Sequence, residues 1–594
     1  MTDKMKNQPD TAPTEKRHRM KVFLRIFTYM FKYKWLVALA LVIMITSNAL
    51  ALAGPYLSGK AIAAIEPGPG NVDFDTVIFY CALMASFYAM SSILSYVLSI
   101  TMIHLSRSIV AEMRRQVFDK LMRLPVSFFD TNQTGDIISR MSYDIDTINA
   151  SISADLLQIC TSVITIVVSL IMMIIISPLL VLVFVITIPM SVLFTRYKSK
   201  KIQPLFRRRS AKLGELNGYT EEILSGHRTI KAYHREETMI DRFDGHNDES
   251  VDAYYHADYQ GAMIGPTVNF INNLSLSLIS MFGGVLYLYQ MIHLDAISTF
   301  ILYSRRFSGP INEMANIISE LQSAASAAER VFRLLDADEE PADADGAEVL
   351  TSPKGDVSAL DVRFSYNPDR EILHGISFDA EAGKTIAIVG PTGSGKTTVI
   401  NLLMRFYDQD SGDIRVDGKN TLGITRKSLN GAFTMVLQDT WLFGGTIAEN
   451  IAYGKEGATR EEIVAAAKAA MIDDYIESLP DGYDTVLTED GINLSKGQKQ
   501  LMTIARAMLP ECSILILDEA TSNVDSRTEV KIQSAMAKLM EKKTSIVIEH
   551  RLSTVRDADV IIVIRDGNII ERGTHDELLL YGGFYASLYN SQFN

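Results

Sequence analysis

Residues 390–397 read Gly390-Pro391-Thr392-Gly393-Ser394-Gly395-Lys396-Thr397 and match in full the phosphate-binding pattern G-x-x-x-x-G-K-[ST]. The apolar run before them predicts a strand, and the run after them, from Thr398, predicts a helix. In that context, backbone N–H groups close on phosphate oxygens, and the helix N-terminus favours their negative charge. We therefore expect residues 390–398 to bind a nucleoside triphosphate, with Lys396 at the outer phosphates and the Thr397 hydroxyl on Mg²⁺.

The composition indicates a membrane part joined to a soluble part. The 594-residue chain is too long for one hydrophobic core, and 47% of its residues are hydrophobic although 21% are charged. The formal net charge of -13, with no basic domain, argues against nucleic acid as a partner. The three cysteines are isolated in the sequence, so neither a disulfide framework nor a thiolate metal site is implied.

Six apolar stretches reach the length of about 20 residues that a membrane-spanning helix needs. They are 35–57, 76–103, 156–176, 179–195, 266–289 and 296–318. Lys and Arg crowd before the first stretch, between the second and third, and between the fourth and fifth, whereas Lys60 is the only such residue in the other connections. This asymmetry predicts a plasma (inner) membrane protein with both termini in the cytoplasm and with lipid as a neighbour.

The connections that carry the positive charge are about 50 and 70 residues long, so we expect the spans to continue as helices into the cytoplasm. Residues 20–33 mix apolar and basic side chains, which predicts an amphipathic surface helix preceding a transmembrane domain that extends to 335. Residues 1–19 are expected to be a disordered tail. An acidic linker at 336–346 would lead into a soluble domain at 347–594.

Further motifs follow the phosphate-binding loop in a fixed order. Asn493-Leu494-Ser495-Lys496-Gly497-Gln498 precedes a helical stretch, and a buried-type strand from Ile514 ends in the carboxylates Asp518 and Glu519. With the loop, these segments resemble an ATP-binding cassette (ABC) transporter whose membrane domain is fused ahead of its nucleotide domain. The resemblance implies an all-α, six-helix transmembrane domain followed by an α/β P-loop ATPase domain of ABC type. It covers nearly the whole chain beyond the tail.

The resemblance also implies roles for single residues. Tyr366 would stack on adenine. Gln438 and Asp518 would join Thr397 around Mg²⁺, Glu519 would polarise the attacking water, and His550 would hold the γ-phosphate beside Lys396. Such a set suits phosphoryl transfer, which needs charge neutralisation and an oriented water more than covalent help. In the family, Ser495, Gly497 and Gln498 of one cassette complete the ATP site of the other, so a second half-transporter is the implied partner.

Two positions depart from the family pattern. The family signature reads Leu-Ser-Gly-Gly-Gln, and Lys496 replaces its first glycine. In heterodimeric bacterial exporters, one of the two subunits keeps the catalytic Glu and has a modified signature. This chain resembles that subunit, so we favour a heterodimer over a homodimer. The alternative is that a side chain is tolerated at this position. Glu549, beside His550, is also unusual; it would either raise the imidazole pKa or point to solvent.

The transport path is marked by Arg305 and Arg306, about ten residues into the sixth stretch. At least one would face the interior as a binding or gating cation, or both would belong to a structural ion pair such as one with Glu313. The expected function is ATP-driven efflux of amphipathic small molecules, of the multidrug type, or of lipids. Export of peptides or toxins, and ligand sensing without net transport, are the alternatives that the sequence leaves open.

Overall fold

The computed structural model of the chain describes residues 12–65, 72–438, 440–487, 494–518, 525–548 and 555–593. These residues form two compact units. The membrane unit comprises the residues up to 122 and residues 134–337. The cassette unit comprises the residues from 338 onwards and also the short segment 123–133, which connects two helices of the membrane unit in the chain. The units divide within the acidic linker expected at 336–346.

The membrane unit is helical. Helices satisfy all their backbone polar groups internally, which lipid requires of a spanning segment. They are α1 (Ala12–Phe31), α2 (Lys34–Ala63), α3 (Phe74–Leu121), α4 (Val126–Thr131, assigned to the cassette unit), α5 (Thr134–Ser139), α6 (Ile145–Ala150), α7 (Leu156–Ile176), α8 (Pro178–Ser225), α9 (His227–Ala232), α10 (Glu236–Ala262), α11 (Ile264–Leu288) and α12 (Leu294–Leu335).

In the part of the chain that the structure describes, five helical stretches are long and apolar enough to cross a membrane. They are Lys34–Ala63, Phe74–Leu121, Thr134–Ile176, Pro178–Ser225 and Glu236–Leu288. The first four contain the first four expected spans, and the fifth contains the expected span 266–289 except for its last residue. The sixth expected span, 296–318, falls on α12, which is not among them. Arg305 and Arg306 lower the apolar character of α12, and its assignment as a span stays a prediction.

Two helices are much longer than a membrane is thick. Both α3 and α8 contain 48 residues, which corresponds to about 72 Å against a hydrocarbon core of roughly 30 Å. A large part of each helix must therefore lie outside lipid, as expected for helical extensions. The turn between α7 and α8 falls at Ser177, whose side chain accepts a hydrogen bond from the Leu180 N–H (3.5 Å), and Pro178 occupies the first helical position.

Hydroxyl groups join α2 to its neighbours. Ser47 Oγ of α2 donates to the Ser91 carbonyl oxygen of α3 (3.0 Å), and the buried Tyr303 hydroxyl of α12 donates to the Leu52 carbonyl oxygen of α2 (2.8 Å). Such contacts hold membrane helices together where the hydrophobic effect does not. The contact of Tyr303 fixes which face of α12 is buried, and Arg305 and Arg306 lie exposed on the remaining surface.

An ion pair joins the C-terminal part of α12 to the helical segment that precedes α7. This segment contains two π-helical turns, Arg140–Asp144 and Ser151–Asp155. The Asp144 side chain is 3% exposed, and Arg330 binds it at two points, with Nε 2.9 Å from Oδ2 and Nη2 2.5 Å from Oδ1. A buried carboxylate is stable only with such a partner, so the pair fixes the register of the two helices.

Two expectations differ from the structure. Residues 12–19 of the tail expected at 1–19 belong to helix α1, which begins at Ala12. Within the described residues, Glu313 accepts a hydrogen bond from Gln158 (2.8 Å) and forms no ion pair with the two arginines of α12. It lies seven residues beyond the nearer arginine, about 10 Å along the helix axis, which is too far for direct contact.

The cassette unit contains strands and helices. Its strands are β1 (Val357–Phe364), β2 (Leu373–Ala380), β3 (Thr385–Val389), β4 (Ser411–Val416), β5 (Lys419–Asn420), β6 (Phe433–Val436), β7 (Gly445–Thr446), β8 (Val486–Leu487), β9 (Ile514–Asp518), β10 (Thr544–Ile548), β11 (Val560–Arg565) and β12 (Asn568–Gly573). Its helices after β3 are α13 (Lys396–Leu403), α14 (Arg426–Ala432), α15 (Ile447–Ala452), α16 (Arg460–Ala469), α17 (Asp473–Glu477), α18 (Lys496–Met508), α19 (Ser526–Met540), α20 (His575–Tyr581) and α21 (Phe584–Phe593).

A six-stranded sheet forms the centre of this unit, in the order β12-β11-β3-β10-β9-β6. All its strands are parallel except β12, which pairs antiparallel with β11. An antiparallel sheet in the order β2-β1-β4-β5 and a short β7-β8 pair complete the unit. The predicted strand at Thr385–Val389 is confirmed, and so is the helix predicted from Thr398, which begins two residues earlier, at Lys396.

Alternate residues of β9 enter different hydrophobic cores. Ile514 and Ile516 pack in the core that contains Val399 and Ile400 of α13. Leu515 and Leu517 pack in a second core that contains Leu501 and Ile504 of α18, among other residues. Because successive side chains of a strand point to opposite faces, α13 and α18 lie on opposite faces of the central sheet.

We expect Arg330→Gln to lower the stability of the membrane unit by about 2 kcal/mol, because it leaves the buried Asp144 carboxylate without its cation. The check is the melting temperature of the purified transporter in detergent. Arg333→Gln is the matched control on the same helix, because the ion pair of Arg333 with Glu329 (3.1 Å) is more exposed and should contribute less than about 1 kcal/mol. Equal shifts for the two variants would contradict a structural role of the Asp144 pair.

Candidate nucleotide-binding site

The phosphate-binding loop lies between β3, at the centre of the sheet, and α13. Two of its glycines have no room for a side chain. A Cβ on Gly390 would lie 2.0 Å from the Ile564 carbonyl oxygen, and a Cβ on Gly395, whose φ is +104°, would lie 2.8 Å from Leu373 Cδ2. Glycine alone allows the close approach at residue 390 and the left-handed backbone at residue 395. With glycine at these positions, the backbone N–H groups of the loop can be directed at an anion.

Polar groups inside the loop fit a bound phosphate. Lys396 is 6% exposed, and its ammonium group donates to the carbonyl oxygens of Gly390 (2.9 Å) and Pro391 (3.0 Å) across the loop. Ser394 Oγ is buried and has no hydrogen-bond partner among the described residues. Because an unsatisfied buried hydroxyl is costly, an acceptor such as a phosphate oxygen suits this position. The loop therefore fits the triphosphate of a nucleotide.

The carboxyl ends of three parallel strands lie level beside this loop. Strand β10 lies between β3 and β9, and its Ile548 is in register with both Ile388 and Asp518. Asp518, 9% exposed, thus ends β9 at the same sheet edge as the loop. Thr397 is exposed in the first turn of α13, and Gln438 is exposed two residues after β6, the neighbour of β9.

The structure therefore brings Lys396, Thr397, Asp518 and Gln438 to one edge of the sheet. The hydroxyl, carboxylate and amide oxygens of the last three are ligand types that Mg²⁺ accepts, and they would hold the ion that accompanies the nucleotide. Glu519 follows Asp518 directly in the sequence, and His550 follows Ile548 by two residues. Both lie outside the described residues, together with Glu549, so their roles stay predictions.

The expected adenine platform, Tyr366, is 42% exposed, and neighbouring side chains of the cassette unit contact its hydroxyl and one side of its ring. Its hydroxyl accepts a hydrogen bond from Asn401 Nδ2 (3.0 Å) and lies 3.3 Å from the Thr398 hydroxyl of α13. The ring packs edge-on against Phe364, with centroids 4.8 Å apart, and against Tyr407, with centroids 5.0 Å apart. These contacts attach Tyr366 to the phosphate-binding helix and leave an aromatic surface in solvent.

Sequence reasoning missed Tyr407 and Asn401. Asn401 lies three residues after Thr398, on the same face of α13, so its helical spacing was an available signal. Tyr407 follows the helix in an irregular segment and carries no periodic signal. Burial raises the pKa of the Tyr407 phenol, and its hydrogen bond to the Asp130 carboxylate raises the pKa further. The Tyr407 hydroxyl therefore stays a proton donor throughout the neutral range.

The signature segment begins α18 with a reciprocal cap. Ser495 Oγ accepts a hydrogen bond from the Gln498 N–H (3.2 Å), and the Ser495 N–H donates to Gln498 Oε1 (2.8 Å). Lys496 is exposed, and Gly497 is buried. Since α18 and α13 lie on opposite faces of the sheet, the structure does not bring Ser495, Gly497 and Gln498 to the phosphate-binding loop of the same chain.

A helical membrane domain and an α/β ATPase domain with a phosphate-binding loop, joined in one chain, define the half-transporter class of ATP-driven transporters. The family model described as ABC transporter transmembrane region matches residues 23–311, and the model described as ABC transporter matches residues 373–522. The chain belongs to the ABC transporter family, whose members couple ATP hydrolysis to transport.

Individual relatives extend over nearly the whole chain. An uncharacterized ABC transporter ATP-binding protein of Bacillus subtilis (strain 168) is 41% identical over 96% of this chain and 94% of its own length. The fatty acid ABC transporter ATP-binding/permease protein of Mycobacterium bovis is 43% identical over 88% and 83%. The ATP-dependent lipid A-core flippase of Aliivibrio fischeri is 33% identical over 96% and 98%. A solved structure of a bacterial Atm1-family ABC exporter with ATP bound matches with a TM-score of 0.77 and 30% identity, over 94% of this chain and 98% of that one.

We expect Gly390→Ala to weaken ATP binding at least tenfold, about 1.4 kcal/mol, because the added Cβ would force the loop away from β11. The measurement is the dissociation constant of ATP for the purified transporter. Gly423→Ala is the control, since a Cβ there meets no atom within 4 Å. ATP binding by Gly390→Ala at the affinity of the unmodified chain would contradict this account of the loop.

Proposed function

We propose that this chain is one half of a heterodimeric ABC exporter of the plasma membrane, with both termini in the cytoplasm. Its cargo is an anionic amphiphile, a fatty acid or a lipid, rather than a drug. The observation that carries the cargo assignment is the pair of exposed arginines, Arg305 and Arg306, on α12. The assignment narrows the broader expectation of amphipathic small molecules.

The two arginines lie deep in a long helix. Arg305 is eleven residues from Leu294, where α12 begins, which places it about 16 Å along the axis. The side chains of Tyr303, Ser304 and Phe307 are buried, so that both arginines project from the remaining surface. If α12 is a span, a guanidinium at this depth is costly unless it meets water or an anion.

A carboxylate or phosphate head group supplies the anion, because guanidinium groups bind these oxygens at two points. An acyl chain attached to such a head group would remain among apolar side chains of the spans. The names of two relatives, a fatty acid transporter and a lipid A-core flippase, support cargo of this class. Neither name bears on drug efflux.

The ATP sites would form between two chains. In each, the loop at 390–397, Tyr366 and the Mg²⁺ ligands Thr397, Gln438 and Asp518 would hold ATP, and the partner's signature would cover its γ-phosphate. Glu519 would polarise the attacking water, and His550 would hold the γ-phosphate. When bound, Mg²⁺ neutralises the charge that develops on the phosphate oxygens. Closure of the cassettes around ATP would open the membrane cavity outward, and hydrolysis would reset it.

Lys496 supports the heterodimer. It is the first residue of α18, where backbone N–H groups and the helix dipole favour an anion. The family places glycine here, which gives a phosphate close access to the backbone. A lysine side chain obstructs that approach, so a homodimer would carry the obstruction in both sites. A partner with an intact signature would leave the site that contains Glu519 unobstructed.

We expect Glu519→Gln to bind ATP normally and to lower steady-state ATP turnover by at least about a hundredfold, because the water loses its orienting carboxylate. The measurement is phosphate release by the assembled transporter, together with retention of radiolabelled ATP after gel filtration. Glu511→Gln, a change of an exposed carboxylate in the loop before β9, is the matched control. Unchanged turnover in Glu519→Gln would reject the assigned role.

We expect palmitate to stimulate ATP turnover of the assembled transporter in lipid nanodiscs. In the double variant Arg305→Gln/Arg306→Gln, the palmitate concentration for half-maximal stimulation should rise at least about tenfold, since a hydrogen bond to a charged group contributes about 1.5–3 kcal/mol. Arg333→Gln controls for lost positive charge on the same helix. Equal stimulation of the double variant and the unmodified chain would reject the two arginines as the cargo site.

A further inference from the structure

Tyr407 connects two regions of the cassette unit. Its ring meets Phe364 and Tyr366 edge-on, with centroids 5.6 Å and 5.0 Å away and interplanar angles of 71° and 90°. Its hydroxyl donates a hydrogen bond to Asp130 Oδ2 over 2.6 Å. One side of this residue is therefore the aromatic cluster of the adenine platform, and the other is the carboxylate of a segment distant in sequence.

That segment, 123–133, belongs to the cassette unit although it joins α3 to α5 of the membrane unit in the chain. Leu124 within it is buried, and the Glu340 N–H donates to the Arg123 carbonyl oxygen (3.0 Å). Asp130 lies on its short helix α4, and the structure gives that carboxylate a phenol of the nucleotide domain as a hydrogen-bond donor. Tyr407 is therefore in direct contact with the segment that continues into α3 and α5.

We propose that Tyr407 is a positioning residue that transmits occupancy of the adenine platform to α4, so that the nucleotide base, independently of the phosphates, orders the segment 123–133. The proposal rests on the proposed stacking of adenine on Tyr366.

The physical basis is the rigidity and geometry of the rings. Adenine stacked on Tyr366 restricts the tilt of that ring, and the perpendicular ring of Tyr407 is in contact with it. A tyrosine side chain has two torsions, so restriction of its ring also restricts the position of its hydroxyl. The hydroxyl then holds Asp130, and with it α4, in one arrangement.

The phosphates have a separate route. They would be bound by the loop at 390–397 and by Lys396, whose ammonium group donates to the Gly390 and Pro391 carbonyl oxygens of the same loop. Asp130 is not a partner in either contact. A ligand that has the phosphates but lacks the base therefore fills the loop and leaves the Tyr366–Tyr407 contact unchanged. Comparing a ligand that has the base with one that lacks it therefore shows whether the base or the phosphates affect residues 123–133.

The test is hydrogen–deuterium exchange of the backbone amides of residues 126–132 in the assembled transporter in nanodiscs. The probes are Mg-ADP and Mg-pyrophosphate, each at a saturating concentration, because neither is turned over through Glu519. We expect ADP to slow exchange in this segment and pyrophosphate to leave it unchanged. Equal protection by the two ligands would overturn the proposal.

Variants assign the effect to the hydroxyl. Tyr407→Phe keeps the ring and removes the donor, so ADP should still bind, but its protection of residues 126–132 should be lost. Asp130→Asn keeps an acceptor oxygen and should retain the protection. Tyr453→Phe, at an exposed tyrosine that packs over Arg506, is the control and should behave as the unmodified chain. Protection that persists in Tyr407→Phe would overturn the proposal.

Tyr366→Leu distinguishes a failure of the proposed role of Tyr407 from a failure of the proposed adenine stacking on Tyr366. If Tyr366→Leu leaves the affinity for ADP unchanged, the adenine platform is wrongly assigned, and the link from base to α4 falls with it. If Tyr366→Leu weakens ADP binding while Tyr407→Phe keeps the protection by ADP, the platform stands and the role of Tyr407 is rejected. Weakened ADP binding in Tyr366→Leu together with lost protection in Tyr407→Phe is the result that we expect.

Discussion

The parallel pairing of β3, β10 and β9 is the constraint on which the nucleotide chemistry depends. These strands are buried on both faces, and their register sets Ile388, Ile548 and Asp518 level with one another. Parallel strands direct their carboxyl ends to the same edge of the sheet. The sheet itself therefore positions the phosphate-binding loop, which follows β3, close to Asp518, which ends β9. A shift of register by one residue would turn the buried side chains to the opposite face, which makes this arrangement strongly specified.

The same sheet also bears on the proposed dimer. Alternate residues of β9 enter two cores, one with the helix of the phosphate-binding loop and one with the signature helix. The sheet thus keeps the phosphate-binding loop and the signature helix of a chain on opposite faces, so in the proposed dimer a second cassette would supply the missing segment. In that dimer, Lys496 would influence which partner suits this chain, because its side chain would enter the site of the other subunit.

The parts of the structure that sequence predicted are those fixed by neighbouring residues. The strand at Thr385–Val389 was predicted with the bounds that the structure has, and the strand predicted from Ile514 begins there and extends to Asp518 in the described residues, because an apolar run between polar segments is a local signal. The contacts of Tyr407 with Asp130, 277 residues apart, and of Arg330 with Asp144, 186 residues apart, could not be predicted. No periodicity encodes which surface residues of distant segments meet; that depends on how the helices pack.

The proposed heterodimer can be tested through the ATP turnover and native mass of this chain purified alone in lipid nanodiscs, with and without Lys496→Gly. We predict that the chain alone is a monomer or a dimer with little ATP turnover. We also predict that turnover rises when a partner with an intact signature is co-expressed, or when Lys496→Gly is introduced into a self-associated form. A dimer of twice 66.0 kDa that hydrolyses ATP equally fast with either residue at this position would contradict it.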